Sequence, residues 1–327
     1  MNVIPVMHCF DDRYVIPASV AFQSMLTFAN PDFFYKLYVC HSDISEEHQK
    51  KLCETVSKFK NASLDFIDMH NHFSDVFLNT KTKGHYSEEM YYKLLAASIF
   101  PQYDKIIVSD VDVVYQGDIS ASYTAPLKGI VAGVSFRSIS NSVFEKARET
   151  YKDFSEDEFS KLKIGAGYLI FNLKKIREEG IENKFLSFLN NNLFRLRQPE
   201  QDIINMVCFP DIDFLPMRFM LPTYLYDCEN KGEDSDLQEL QEAFINPVQI
   251  HYATKIKPWN KPSCLKSELW YEFLLKTSFF TEQMIQFDSV QKLKGYLFGI
   301  LPVVSIKNLG LKKQIKFLGI KLKTVKK

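Results

Sequence analysis

The chain has 327 residues, 46% apolar and 24% charged, an ordinary balance for a soluble globular protein with a sizeable core in one large domain or two. Its forty basic and forty acidic residues cancel, yet residues 291–327 hold ten lysines and no Asp or Glu, leaving 30 basic against 40 acidic side chains in residues 1–290. Six cysteines without C-x-x-C pairs exclude a disulfide framework and a zinc site and fit a reduced cytosol; the start Met1-Asn2-Val3-Ile4-Pro5 lacks the basic region of a secretion signal, and no run of 18 apolar residues exists to span a bilayer.

In chain order, Val3 to Phe10 reads as a first strand, followed at once by Asp11-Asp12-Arg13-Tyr14. A helix follows with Pro17 in its first turn, and Ala18, Ala21, Phe22, Met25 and Ala29 share one face. Phe34 to Cys40 is a second strand. Ser45 then caps a helix whose first turn holds Glu46 and Glu47, and Leu64 to Ile67 is a third strand. A polar connection with Asn71, Asn79 and Gly84, in which His70 and His72 read as loop residues, leads to Ser87-Glu88-Glu89. Tyr91, Leu94, Leu95, Ser98 and Ile99 form the inner stripe of the next helix, with Lys93 off that stripe.

Lys105-Ile106-Ile107-Val108 is a buried strand that ends in Ser109-Asp110-Val111-Asp112. Ile130 to Phe136 is expected as a strand, 143–163 as helical, and Tyr168 to Asn172 as another buried strand behind Gly165-Ala166-Gly167. The two glycines predict close approach by a ligand or another backbone. Helices are expected near 181–194 and 200–208, and the acidic 229–242 as a surface excursion. Alternating strands and helices predict an α/β fold, a mostly parallel sheet covered on both faces.

Residues i and i+2 of an extended segment point the same way, so Asp110 and Asp112 offer paired carboxylates to Mg²⁺ or Mn²⁺ at a carboxyl strand end, where open α/β sheets collect ligands. The competing reading is a strand-to-loop turn with two solvated aspartates. The chain supplies a control: Asp211-Ile212-Asp213 has the same spacing but follows Phe209-Pro210 rather than a long apolar strand. Ile250-His251-Tyr252 ends an apolar stretch; its imidazole can complete a carboxylate-held cation, and the lysines after it, Lys257 above all, can meet a diphosphate. Asp11 and Tyr14 lie on the same expected sheet edge, where a carboxylate and a phenol can bind and stack on a nucleobase. Glu200-Gln201-Asp202 opens a helix after Pro199, where side chains can face a cleft.

Six stretches in order resemble glycosyltransferase family 8, the bacterial lipopolysaccharide galactosyl- and glucosyltransferases related to glycogenin. They are Phe10-Asp11-Asp12-Arg13-Tyr14, Tyr92-Lys93-Leu94-Leu95, Ser109-Asp110-Val111-Asp112, Gly165-Ala166-Gly167-Tyr168-Leu169 through Asn172-Leu173, Pro199-Glu200-Gln201-Asp202-Ile203-Ile204-Asn205, and His251-Tyr252 with Lys257-Pro258-Trp259. The resemblance implies the nucleotide-diphospho-sugar transferase fold called GT-A, with a UDP-hexose donor (galactose or glucose), a glycan or glycolipid acceptor and retention of anomeric configuration. By that resemblance Asp110, Asp112 and His251 hold Mn²⁺ (or Mg²⁺) and Lys257 pairs with the diphosphate. Asp11 and Tyr14 bind uracil, and Lys93, Ala166, Gly167, Glu200 and Gln201 border the donor. Gln201, Asp202 and Glu200 are the candidate catalytic residues, whether the sugar is briefly held by the enzyme or the acceptor attacks from the leaving-group face. Three positions depart from the family pattern: Lys93 stands for arginine, Gly165 for asparagine and Thr254 for glycine, so the sugar side of the site differs most.

Residues 1–278 are expected as the catalytic domain and 279–327 as a helical, lysine-rich tail. Leu309, Leu311, Ile315, Phe317, Leu318, Ile320 and Leu322 threaded among lysines suit an anionic membrane surface rather than nucleic acid. The expectation is a cytoplasmic protein held peripherally on the inner membrane. Two rivals remain. In a haloacid-dehalogenase-like phosphatase Asp110 would be the nucleophile, although that motif belongs near a domain start. A non-catalytic nucleotide-sugar binder is the other.

Overall fold

A computed structural model describes residues 2–70, 88–135, 141–227 and 234–290, together with backbone strands at 293–297, 301–309, 312–317 and 320–326. Asn71, His72, Asn79, Gly84 and Ser87, as well as Phe136 and residues 229–233, lie outside the described residues. β1 (Asn2–Cys9) pairs in parallel with β2 (Phe33–His41) on one side and β4 (Lys105–Ser109) on the other, and β2 pairs in parallel with β3 (Ala62–Asp68). Beyond β4 the direction changes. β7 (Tyr168–Asn172) runs antiparallel to β4 and to β6 (Val131–Gly133), and β6 pairs in parallel with β8 (Ile212–Phe214). The result is a mostly parallel seven-stranded sheet in the order β3-β2-β1-β4-β7-β6-β8.

The near-continuous apolar strands follow from burial on both faces. Ile4, Val6, Leu37, Val39, Ile107 and Ile170 join one core cluster, while their neighbours Met7, Tyr38, Ile106, Val108, Leu169 and Phe171 join the other. α1 (Val15–Thr27) is buried from Val15 to Leu26 rather than along one stripe, and it stops before Ala29. Its serines stay satisfied by donating to their own helix, Ser19 to Ile16 O at 2.7 Å and Ser24 to Ala21 O at 3.0 Å. Ser45 caps α2 (Glu46–Val56) through the His48 N–H, and Glu46 and Glu47 occupy its first turn as expected.

Several elements differ from the sequence reading. The sixth strand is confined to Val131–Gly133. The helix expected at 143–163 is two, Asn141–Thr150 and Glu156–Lys161, because Ser155 and Glu158 form a capping box that restarts the chain. Lys93 lies in a 3₁₀ helix, Glu88–Leu95, and its tighter repeat turns Lys93 inward to 3% exposure. The acidic excursion contains the helix Asp234–Ile245, which buries Leu240 and Ala243. Among the described residues the expected tail is helical only over Phe280–Val290; beyond it, four strands form an antiparallel sheet. The period-two alternation of Ile320-Lys321-Leu322-Lys323 accounts for the extended form there. Nor does contact cease at residue 278, since Gln283 donates to Trp259 O and Lys51 pairs with Glu282. Among the described residues no helix is long and apolar enough to cross a membrane.

A second, three-stranded sheet carries the site. β10 (Gln249–His251) runs antiparallel to β5 (Val113–Tyr115) and parallel to β9 (Leu221–Pro222), setting His251 opposite Val113. The helix Pro199–Cys208 starts on a proline, and Asp202 ties down its approach. One oxygen of the buried carboxylate accepts from the Tyr151 hydroxyl at 2.6 Å, and the other from the backbone of Arg197 at 2.8 Å and Gln198 at 3.0 Å.

Burial pushes the Asp202 pKa up to about 6, against the pull of these donors. Between pH 4 and 6 the native state therefore keeps a proton that the unfolded chain has lost, and stability falls as pH rises through that window. Asp202→Asn carries no such proton. Chemical denaturation is expected to show a wild-type loss of about 3 kcal/mol across the window, relative to the variant.

Candidate active site

The sheet order reverses at β1, whose outgoing chain leads to β2 on one side while β4 lies on the other. Such a switch point opens a crevice at the carboxyl ends of the strands. Asp11 follows β1 into it, and Asp110 and Asp112 follow β4. The Asp110 N–H donates to Gly167 O at 3.0 Å, and Tyr252 N–H to Asp112 O at 2.9 Å, so both turns are tied to neighbouring elements.

Asp110, Asp112 and His251 each present one ligand atom within 4.8 Å of the others. His251 Nε2 stands 3.1 Å from Asp112 Oδ1 and 3.8 Å from Asp110 Oδ2. Two hard carboxylates and one imidazole converging in this way fit a divalent cation of the Mn²⁺ or Mg²⁺ kind. The same carboxylates are compensated by lysines. Lys93 Nζ lies 2.5 Å from Asp110 Oδ1, 3.2 Å from Ala166 O and 3.9 Å from Glu200 Oε1. Lys257 Nζ bonds Asp112 Oδ2 and Tyr252 O.

Burial by itself would discharge Lys93, but the Asp110 and Glu200 carboxylates outweigh it and hold the ammonium charged, its pKa above the usual lysine value. Burial would likewise raise the pKa of Asp112, and His251 and Lys257 outweigh it and keep the carboxylate ionised. Glu200 moves upward, chiefly through burial, and its Oε2 has no hydrogen-bond partner among the described residues. Formally Asp110, Asp112 and Glu200 set three negative charges against the two positive charges of Lys93 and Lys257. A dication turns that balance positive, which suits an anionic diphosphate.

These side chains line a cleft of about 960 Å³ with Asp11, Tyr14, Gly165, Ala166, Gly167, Gln201, Met220 and Trp259. Asp11 is already engaged: one oxygen accepts from Arg13 N–H at 2.9 Å, and the other pairs with the Arg13 guanidinium. Tyr14 meets Trp259 edge-on at 5.9 Å, and burial pushes its pKa up to about 12, so the phenol stays protonated. Gln201 Oε1 accepts from Ala166 N–H at 3.0 Å, which fixes its carboxamide in the wall. Asp202, one residue on, is absent from the lining because its carboxylate serves the backbone and Tyr151.

The close approach expected at the two glycines is made by protein side chains. A Cβ on Gly167 would stand 2.6 Å from His251 Cε1 and Nδ1, and one on Gly165 would stand 2.5 Å from Met220 Cε. Asp211 and Asp213, the control pair, are structural: Asp213 Oδ2 accepts from Lys128 and Gly129 N–H at 2.7 and 2.8 Å, and Asp211 pairs with Lys175 at 2.9 Å. Met220, Tyr224 and Gln286 also line the cleft, and no local pattern announces them. Arg13 had a signal, since its spacing from Asp11 lets the two side chains meet across the turn.

Gly167→Ala is expected to destabilise the fold by about 1–3 kcal/mol through overpacking. The displaced imidazole should also diminish any Mn²⁺-induced rise in melting temperature, which differential scanning fluorimetry reads directly.

The sequence model described as Glycosyl transferase family 8 matches residues 5–263. Lipopolysaccharide 1,2-glucosyltransferase of Escherichia coli strain K12 is 26% identical over 195 residues, 59% of this chain but only 55% of that protein's length. General stress protein A of Bacillus subtilis strain 168 is 22% identical over 79% of this chain and 88% of its own. Among solved structures, galactosyltransferase LgtC in complex with donor and acceptor sugar analogues superposes with a TM-score of 0.65 at 19% identity, covering 84% of this chain and 96% of LgtC. The bifunctional glycosyltransferase WbbM gives a TM-score of 0.69 at 24% identity, over 87% of this chain and 52% of WbbM. These likenesses establish the GT-A fold, and the match across most of its length makes this chain a member of glycosyl transferase family 8.

Proposed function

We propose that the protein is a retaining hexosyltransferase that moves galactose or glucose from a UDP-sugar to a cell-surface glycan, such as lipopolysaccharide or a lipid-linked polysaccharide. The carrying observation is the convergence of Asp110, Asp112 and His251 within 4.8 Å, at a cleft wide enough for a sugar nucleotide. The hexosyltransferase activities named for its relatives support hexosyl transfer, and a family match that spans Asp110 does not favour the phosphatase alternative.

Asp110, Asp112 and His251 would hold Mn²⁺ or Mg²⁺. When bound, such an ion supplies Lewis-acid stabilisation to a departing diphosphate. Lys257, already at the rim, would turn from Asp112 to the diphosphate oxygens and offset charge as the bond between the anomeric carbon and the phosphate oxygen breaks. Asp11 and Tyr14 would flank the uracil. Lys93, Glu200, Ala166, Gly167 and Gln201 would border the hexose, with Gln201 the best-placed candidate to face the anomeric carbon and Asp202 behind it. The acceptor hydroxyl oxygen forms the new bond to the anomeric carbon and gives up its proton to the departing diphosphate, which leaves as UDP.

The basic, apolar-threaded sequence after residue 290 leads us to propose peripheral attachment to the cytoplasmic face of an anionic membrane. Deleting residues 291–327 should shift the protein from membrane to soluble fractions; unchanged partitioning would end that reading.

The activity itself is tested by release of UDP from a panel of UDP-sugars with and without Mn²⁺. Lys257→Met should cost roughly 10²–10³ in kcat, the scale of losing one group that stabilises developing charge. Asp112→Asn should abolish the dependence on Mn²⁺ altogether. UDP binding without turnover on any acceptor would favour a non-catalytic binder instead.

A further inference from the structure

Beneath the three candidate ligands lies a polar cluster that the mechanism above does not use. His8 on β1, Ser109 at the end of β4, Tyr115 on β5 and Gln249 on β10 are all fully buried, and none lines the cleft. Gln249 Nε2 is 2.9 Å from Ser109 Oγ and 3.1 Å from the Tyr115 hydroxyl. The two hydroxyls are 2.7 Å apart, Ser109 Oγ is 3.0 Å from Asp110 O, and His8 Nδ1 is 2.9 Å from Ser109 O.

Counting protons sets the direction of this network. An amide nitrogen only donates and a carbonyl oxygen only accepts. Gln249 therefore donates to both hydroxyl oxygens, and Ser109 gives its single proton to Asp110 O. Tyr115 must then donate to Ser109 Oγ, and His8 donates from Nδ1 to Ser109 O. Each proton passed along this chain has a taker, while Gln249 Oε1 and His8 Nε2 have no hydrogen-bond partner among the described residues.

Its members stand beside the candidate ligands in the chain. Ser109 precedes Asp110, Tyr115 closes the strand after Asp112, and Gln249 stands two residues before His251. The ladder between β5 and β10 is three residue pairs long and is flanked by backbone bonds from Gln116 N–H to Val248 O and from Tyr252 N–H to Asp112 O, both 2.9 Å. A slip of one residue would move His251 by about 3.4 Å and turn it to the other face. Metal–ligand distances tolerate roughly 0.2 Å. We propose that Ser109, Tyr115, Gln249 and His8 are positioning residues that hold the β4, β5 and β10 segments in the one register that lets Asp110, Asp112 and His251 share a cation. The proposal rests on the cation reading of those three residues, and the test separates the two.

Mn²⁺ is titrated into the full-length wild type, Tyr115→Phe, Gln249→Leu and the control Tyr35→Phe, with binding read by calorimetry and melting temperature. Tyr35 is an equally buried tyrosine on β2 whose hydroxyl bonds Asp118 and the Asn30 N–H rather than Ser109 or Gln249. Tyr115→Phe and Gln249→Leu should bind Mn²⁺ about tenfold more weakly, the scale seen when groups that orient metal ligands are removed. Tyr35→Phe should bind Mn²⁺ as the wild type does, even where its metal-free melting temperature falls. In UDP release, the Mn²⁺ concentration for half-maximal rate should rise about tenfold in the first two variants, with kcat at saturating Mn²⁺ retained. Unchanged Mn²⁺ affinity in Tyr115→Phe and Gln249→Leu, or equal weakening in Tyr35→Phe, overturns the positioning role while leaving the cation site standing. A wild type that binds no Mn²⁺, with or without UDP, overturns both. If Gln249→Leu fails to fold, Tyr115→Phe, which deletes one hydroxyl, decides alone.

Discussion

Carboxylates brought together at the end of a buried strand repel one another, and burial penalises each charge further. Removing an ion from water costs several kcal/mol even after relaxation, so an acidic pair in this position depends on positive charge beside it. Lys93 and Lys257 supply it, one from beneath and one from the rim, with His251 between. Much of the site follows from that constraint. The 3₁₀ turn that swings Lys93 inward and the loop that returns Lys257 to Asp112 place positive groups where the acidic pair needs them. The pocket is thus already shaped by the need to neutralise two carboxylates; Asp110, Asp112 and His251 would hold a divalent cation there, with Lys257 at hand for an anion.

Topology brings the participants together from distant parts of the chain. β4 delivers the two aspartates to a crevice that exists because the sheet order reverses at β1. The antiparallel β7 sets Gly167 against the aspartate turn, and the absence of a side chain at Gly167 lets the His251 ring lie against the backbone. The small β5-β10-β9 sheet closes the arrangement by pairing the strand after Asp112 with the strand that carries His251. Its ladder is short, and buried side-chain hydrogen bonds among Ser109, Tyr115 and Gln249 stand beside the candidate ligands.

Local pattern was informative wherever one element by itself determines the outcome. The apolar runs of β1, β2, β4 and β7, the Ser45 cap and the two carboxylates one residue apart needed no distant partner to be read. It failed where an outcome depends on what packs against a residue. Lys93 was read from a helical repeat that the chain does not adopt, and the two glycines, expected to admit a ligand or another backbone, are approached by the side chains of Met220 and His251. Asp202 carries the same carboxylate as Asp110. Its backbone and phenol partners, Arg197, Gln198 and Tyr151, separate a structural acid from a ligand.

By itself, then, the amino-acid order determined the alternation of strands and helices, the acidic pair at a strand end, and the set of residue types able to hold a cation and a diphosphate. These follow from short-range periodicity and the chemistry of single side chains, both of which are written along the chain. Only the tertiary structure decided that His251, 139 residues from Asp112, stands within 3.1 Å of it, that Lys93 is buried beneath Asp110, and that Ser109, Tyr115 and Gln249 share one proton chain. Those facts depend on strand order and register, which arise from the packing of two apolar cores against opposite faces of one sheet and cannot be read from any single stretch.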